Sequence, residues 1–320
     1  MAAEKAYCRI PVKLIAKFAD SFPYDVFLKL SDAKIVKISH QNEPIKDAIV
    51  RYHKEKGVQD IYVLKEDYDK ILNTLKEQFK DKLFSPYVSE NERIELLEKS
   101  YSMVKDSLTS VGISEATMEF AKKISQSCLR VVMESKNIFS LLQKFSNGCE
   151  EEFKKCIVVG YLSAGMVDHF DWRTDSMKEK CALSAILCDI LLSNKEIKDM
   201  QGLSASRPLA GDAKNKIALH IKNVVNILKV EKWISKESLS MIEQHHEEQD
   251  GMGFPLGLGH TSISQLSAIF IVAMRFSDLL FLNNFSYKEK DNMLATMRVK
   301  YNLGVFKKAT HSLSELLDKE

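Results

Sequence analysis

The side chains with the greatest chemical capacity in this sequence stand in one stretch, His245-His246-Glu247-Glu248-Gln249-Asp250-Gly251-Met252-Gly253-Phe254-Pro255. Neutral imidazoles bind zinc, iron and manganese, and carboxylates complete or bridge such sites, so the pattern points to a transition-metal centre. Four of the 12 glycines (Gly251, Gly253, Gly257, Gly259) fall within nine residues here, and with Pro255 they force an irregular loop directly after the histidines. An idle histidine pair on a solvated helix end would read the same at this level.

These residues need a scaffold, and the apolar periodicity supplies one. Leu239, Met241 and Ile242 mark the helix that the histidines end. Helices are expected near 91–109, 114–145, 150–170, 176–193, 213–230, 235–247, 263–282 and 303–317. The first part of the chain reads differently. Asp25 to Leu30 and Lys34 to Ile38 form two β-rich runs around Ser31-Asp32-Ala33, a hairpin, and Ile61 to Leu64 is a further strand. A helix opened by Pro44 runs to Lys56, and another starts near Glu66 and runs to Phe79. The expected architecture is a small α+β domain over 1–80, a linker and connecting helix over 81–118, and an all-α bundle over 119–320.

Composition narrows the function classes. At 320 residues, 45% hydrophobic and 28% charged, the chain is globular and long enough for two domains. Lys plus Arg total 46 against 44 for Asp plus Glu, so no global field draws the protein to nucleic acid or an anionic membrane. Apolar runs such as Ile269 to Ala273 fall far short of a span of about 20 residues, and no export signal opens the chain, so a cytoplasmic protein is expected. Six cysteines without CxxC spacing suggest reduced, buried thiols. No GxxxxGK[ST], GxSxG or strand-linked GxGxxG occurs, which removes the P-loop, hydrolase-elbow and Rossmann readings. Asp168-His169 reads as a helix-end cap and His260 as loop surface.

The stretch from His245 to Pro255 resembles HHExxDGxGYP, the signature of the HD-GYP family of metal-dependent phosphodiesterases that hydrolyse cyclic di-GMP, with Phe254 in the place of the tyrosine. Other landmarks follow in order. Ala185 to Leu191, with Cys188-Asp189, is similar to the AxLLHDIGK segment. Ala218 to Leu228, with His220, resembles the HPxxGAxIL helix, and Ile263 to Leu280 the helix ending VADxFDAL. The resemblance covers roughly residues 120 to 320 and implies an HD-GYP-type helical bundle preceded by an accessory or sensor domain.

The departures fall on one side of the family's two-metal arrangement. Cys188 replaces the histidine of the HD motif, Lys155 or Cys156 falls where an upstream histidine is required, Met274 replaces the VAD aspartate, and Leu192 replaces the HDIGK lysine. The resemblance therefore implies a half-lost dinuclear centre: one ion has lost its ligands, while Asp189, His220, His245 and His246 remain for the other. An ammonium at Lys155 could fill the space of the missing ion and compensate Asp189. Cys188, in an apolar setting, is expected to be a neutral thiol.

The implied function is a cyclic di-GMP signalling protein with impaired catalysis, a ligand-binding or interaction module. The expected cofactor is one ion of iron, manganese or zinc, or none. Alternatives are an active one-metal phosphodiesterase and a metal-free scaffold. Expected partners are cyclic di-GMP or a related phosphate ligand, and a GGDEF-type diguanylate cyclase docking on the loop of Asp250, Gly251, Gly253, Phe254 and Pro255 through exposed Met252, Phe254 and Leu256. A homodimer is a further possibility. Phe254 packed inward against the bundle is the competing reading of the loop.

Overall fold

The computed structural model describes residues 7–12, 22–31, 34–44, 56–58, 60–83, 85, 87–110, 115–133, 139, 149–193, 196–197, 212–232 and 234–318. The chain forms two compact units: Met1–Val88 with Lys99–Ala121, and Ser89–Glu98 with Lys122–Glu320.

In the first unit, strands β1 (Tyr7–Pro11), β2 (Val26–Ser31), β3 (Lys34–Ser39) and β4 (Asp60–Leu64) make an antiparallel sheet in the order β1-β4-β2-β3. The expected hairpin is β2–β3. Strand β1 was not anticipated, because Cys8 and Ile10 on either side of Arg9 are too short an alternation to stand out. Its register against β4 pairs Cys8 with Val63 and Ile10 with Ile61, so four buried apolar side chains share one face. Helix α1 (Lys65–Leu83) covers it with Tyr68, Ile71 and Leu72, at i, i+3 and i+4. The helix expected between Pro44 and Lys56 lies, apart from its ends, outside the described residues. Helices α2 (Glu90–Ser110) and α3 (Glu115–Met133) follow; beyond Met133 the expected extension to 145 is outside the described residues except at Phe139, which is helical.

The second unit is a helical bundle. Helix α4 (Glu151–Val167) is buried along almost its whole length and packs on α5 (Asp175–Leu187). Among the described residues, helices α6 (Asp212–Leu228), α7 (Lys236–Gln244), α8 (Gln265–Leu282), α9 (Lys290–Lys300) and α10 (Gly304–Asp318) follow. Side chains set three of the helix starts: Thr174 accepts from the Met177 N–H at 3.2 Å, Ser235 from Ser238 at 3.0 Å and Ser264 from Ser267 at 3.1 Å. Helix α9 was not expected, since its buried Met293, Leu294 and Met297 are scattered among charged residues. Helix α8 is long and apolar enough, by length and composition, to cross a membrane, but 78% of it is buried inside the protein. Its hydrophobicity is that of a core helix packed on α4 and α10.

Candidate metal centre

Three elements deliver four side chains to one buried point. Asp189 follows the C-cap of α5, His220 lies in α6, and His245 and His246 end α7. One donor atom from each of these four residues lies within 4.8 Å of every other, and all four residues are buried. His220 Nε2 and His245 Nε2 each stand 3.4 Å from Asp189 Oδ1. Ligand atoms at about 2.1 Å around a tetrahedral ion sit about 3.4 Å apart, which these two distances match.

The donor set fits a metal on a second count. His220 Nε2, His245 Nε2, both His246 nitrogens and Asp189 Oδ1 have no hydrogen-bond partner although they are shut off from solvent. Orphaned polar atoms facing one point in an apolar interior are costly unless something satisfies them together. His245 is set up as a ligand: Nδ1 lies 2.6 Å from the Ile242 carbonyl, which can only accept, so Nδ1 carries the proton and Nε2 presents its lone pair. Burial holds His246 well below the usual imidazole range, assisted by the neighbouring Arg275 charge, and burial likewise lowers His245 against the pull of Asp189. These imidazoles are therefore neutral and able to ligate.

The other half of the site is occupied by groups that do not bind a hard cation. Lys155 from α4 reaches in, with Nζ 3.1 Å from Asp189 Oδ2, and its side chain is 5% exposed. Burial works against a charged carboxylate at Asp189, but the Lys155 ammonium outweighs it and chiefly holds the group well below its usual range. Burial also opposes the charge on Lys155, and Asp189 and Asp278 more than restore it. Of the two candidates for the upstream histidine position, Lys155 points into the centre. Cys156 lines a small void with Cys128, Ile157 and Ala182 instead. Cys188 is buried, and burial together with adjacent Asp189 raises its thiol far above the ordinary range, so it is the neutral thiol expected. Met274 is buried, and Leu192 joins an apolar cluster with Ile197, Ile221 and Phe254.

The motif loop is a structural clasp. The Glu247 carboxylate is fully buried and accepts from the Leu256 N–H at 2.7 Å and the Leu258 N–H at 2.8 Å. Asp250 Oδ1 accepts from the Met252 N–H at 3.0 Å, and Asp250 bridges Gly259 to close the loop. Gly251 takes φ +78°, which L side chains rarely adopt. Gly253 approaches Glu247 so closely that a Cβ would lie 2.4 Å from its Cα. The peptide bond before Pro255 is cis. Phe254 corrects one expectation: it is 7% exposed, with its ring against His246, because stacking on the imidazole and packing on Leu192 bury it. Met252 and Leu256 do remain exposed, at 77% and 52%.

Sequence reasoning missed Asp278 and Arg275. Asp278 Oδ1 lies 3.7 Å from Lys155 Nζ, Arg275 Nη1 lies 3.4 Å from Asp278 Oδ2, and Arg275 Nε lies 3.3 Å from Glu248 Oε1. Glu248 also accepts from the Tyr301 hydroxyl at 2.8 Å. The only sequence signal was two charges in the otherwise apolar α8. Asp168 and His169 do not form a site together: Asp168 pairs with Lys178 at 2.5 Å and His169 with Glu315 at 3.0 Å.

Neither a protein-family model nor a curated protein matches the sequence. Among solved structures, Bd1817, an HDG"Y"P protein from Bdellovibrio bacteriovorus, is similar over 98% of this chain and 99% of that one, with a TM-score of 0.60 and 13% identity. The fold is thus the one carried by an HD-GYP protein: a small antiparallel sheet followed by a helical bundle.

Proposed function

We propose that this chain is a divergent HD-GYP-type protein of cyclic di-GMP signalling, cytoplasmic, with one transition-metal ion and with hydrolysis lost or severely slowed. It serves as a ligand-binding or interaction module. The observation that carries this reading is the division of the buried centre: Asp189, His220, His245 and His246 converge on one point, while Lys155 takes the other carboxylate oxygen of Asp189 with the Cys188 thiol beside it.

A bound ion would polarise a phosphate oxygen, whereas the fast two-metal route requires a hydroxide held between a pair of ions and a clamp on both attacking and leaving oxygens. The protein's own groups do not replace that second clamp. Cys188 keeps its proton, Leu192 and Phe254 present apolar walls, and the Lys155 ammonium is engaged with carboxylates. Zinc in a tetrahedral shell would be saturated by the four donors, whereas iron or manganese, with higher coordination numbers, would leave positions for a phosphate oxygen. For a partner such as a GGDEF-type diguanylate cyclase, the exposed apolar residues of the loop are Met252 and Leu256.

Metal analysis of the purified protein, a cyclic di-GMP binding titration and a hydrolysis assay test the reading together. One ion per chain, measurable binding and no turnover are expected. Turnover near about 10 per second would establish the one-metal phosphodiesterase instead. A protein that takes up no ion, and whose His245→Ala variant is indistinguishable from it, would be the metal-free scaffold.

A further inference from the structure

The metal ligands account for the histidines but leave unexplained the buried charges beside them. Lys155 Nζ stands 3.1 Å from Asp189 Oδ2 and 3.7 Å from Asp278 Oδ1, and none of the three side chains exceeds 6% exposure. Two carboxylates this close in a dry interior repel each other, and each is driven towards protonation unless a cation lies between them. The ammonium supplies that cation. Asp189 consequently serves two positive positions: Oδ1 faces His220 and His245 at 3.4 Å, and Oδ2 faces Lys155. One position is open to exchange, and the other is covalently attached to α4.

We propose that Lys155 is a tethered cation standing in for a second metal ion, with Asp189 and Asp278 as its counter-charges, and that it fixes the centre at one ion. This rests on the one-ion reading above and adds to it a consequence for affinity. Because Lys155 competes for the charge of Asp189, it weakens the ion that His220, His245 and His246 share with that carboxylate. Asp278 acts in the opposite direction by drawing part of the ammonium's charge away from Asp189. Lys155 and Asp278 are positioning residues that tune the site without ligating.

The test uses the full chain, stripped with chelator and titrated in parallel with Mn²⁺ and Zn²⁺, with melting temperature recorded before and after loading. Wild type should take one ion. Lys155→Met, which keeps the bulk and removes the charge, should bind it about tenfold more tightly and gain more in melting temperature on loading. Asp278→Asn should bind it about tenfold more weakly, and the double variant should match Lys155→Met, because Asp278 acts through Lys155. Equal affinities and equal melting increments in wild type and Lys155→Met would make Lys155 an ordinary buried ion pair and overturn the proposal. Should Lys155→Met fail to fold, Asp278→Asn decides alone, since unchanged or tighter binding there also overturns it. A wild type that takes neither ion and matches His245→Ala would instead defeat the one-ion reading itself, and the proposal with it.

Discussion

The Phe254 ring lies almost parallel to the His246 imidazole, with 4.9 Å between centroids and 14° between planes. The backbone N–H of Phe254 also donates to the His246 carbonyl at 3.2 Å. The residue that replaces the motif tyrosine therefore holds a ligand in place by its face, and the absent hydroxyl leaves no unpaired donor in the apolar cluster of Leu192, Ile197 and Ile221.

Phe254→Ala should accordingly lower stability by about 3–5 kcal/mol, the usual cost of truncating a buried phenyl ring. It should also loosen the metal, because His246 loses the surface that orients it. Calorimetry and metal titration on the same preparations check both. An unchanged melting temperature accompanied by loss of a bound partner would restore the reading of Phe254 as a surface anchor.

The inward turn of Phe254 shows which features the sequence made legible. Helices α4 to α8 and α10 were readable because their apolar residues recur with a helical period, and α5, α7 and α8 also open on a Ser or Thr cap. The four candidate ligands were readable because His245 and His246 sit in a dense local motif that orders the others by resemblance. A loop has no period, so the side of Phe254 was undetermined until Leu192 and Ile221, from other elements, were brought against it. Asp278 was hidden for a related reason: its partners Lys155 and Arg275 define its role, and Lys155 lies on a distant helix. Short elements with weak alternation, β1 and α9, were missed because tertiary pairing rather than propensity makes them.

Gly253→Ala should disable the loop without touching a ligand. The added methyl would lie 2.4 Å from both Glu247 Cα and Glu248 N, which are backbone atoms that cannot swing aside. Relief requires shifting the chain beside His246, so stability should fall by about 1–3 kcal/mol or more and metal affinity should fall with it. Gly259→Ala is the control, since its nearest neighbour would be at 3.7 Å, an ordinary contact. Equal melting curves for the two variants would refute this account of the loop.

Acid should unfold the metal-free protein earlier than its carboxylates alone would dictate. Burial lowers His245 and His246, and Asp189 is lowered, against its own burial, chiefly by Lys155. In the unfolded chain these histidines take up protons below about pH 6.5 and the aspartate below about pH 3.9, while the native protein accepts them only at lower pH. The unfolded state then binds more protons, so stability is fully present above about pH 6.5, declines as pH falls through the window beneath it, and declines again as Asp189 is titrated. Urea midpoints measured on the apo-protein between about pH 8 and about pH 4 should show the first decline. A midpoint that holds or rises across that range would show that these histidines are not buried neutral.

Restoring the HD histidine alone, by Cys188→His, should not produce hydrolysis. Cys188 is 2% exposed, and its Sγ donates to the Ala185 carbonyl at 3.6 Å inside the last turn of α5, so an imidazole there must displace packed neighbours before it can ligate anything. Even when accommodated, it would meet Lys155, whose ammonium already sits against Asp189, and the buried Met274 offers only a thioether, a poor ligand for a hard cation. The expected variant is less stable than wild type by about 1–3 kcal/mol, still carries one ion, and leaves cyclic di-GMP intact. Lys155→His with Cys188→His and Met274→Asp supplies the missing ligand types together and is the combination in which a second ion should first be measurable. A second ion, or turnover, in Cys188→His by itself would show that Lys155 yields its place readily, and the division of this centre into a metal half and an ammonium half would have to be abandoned.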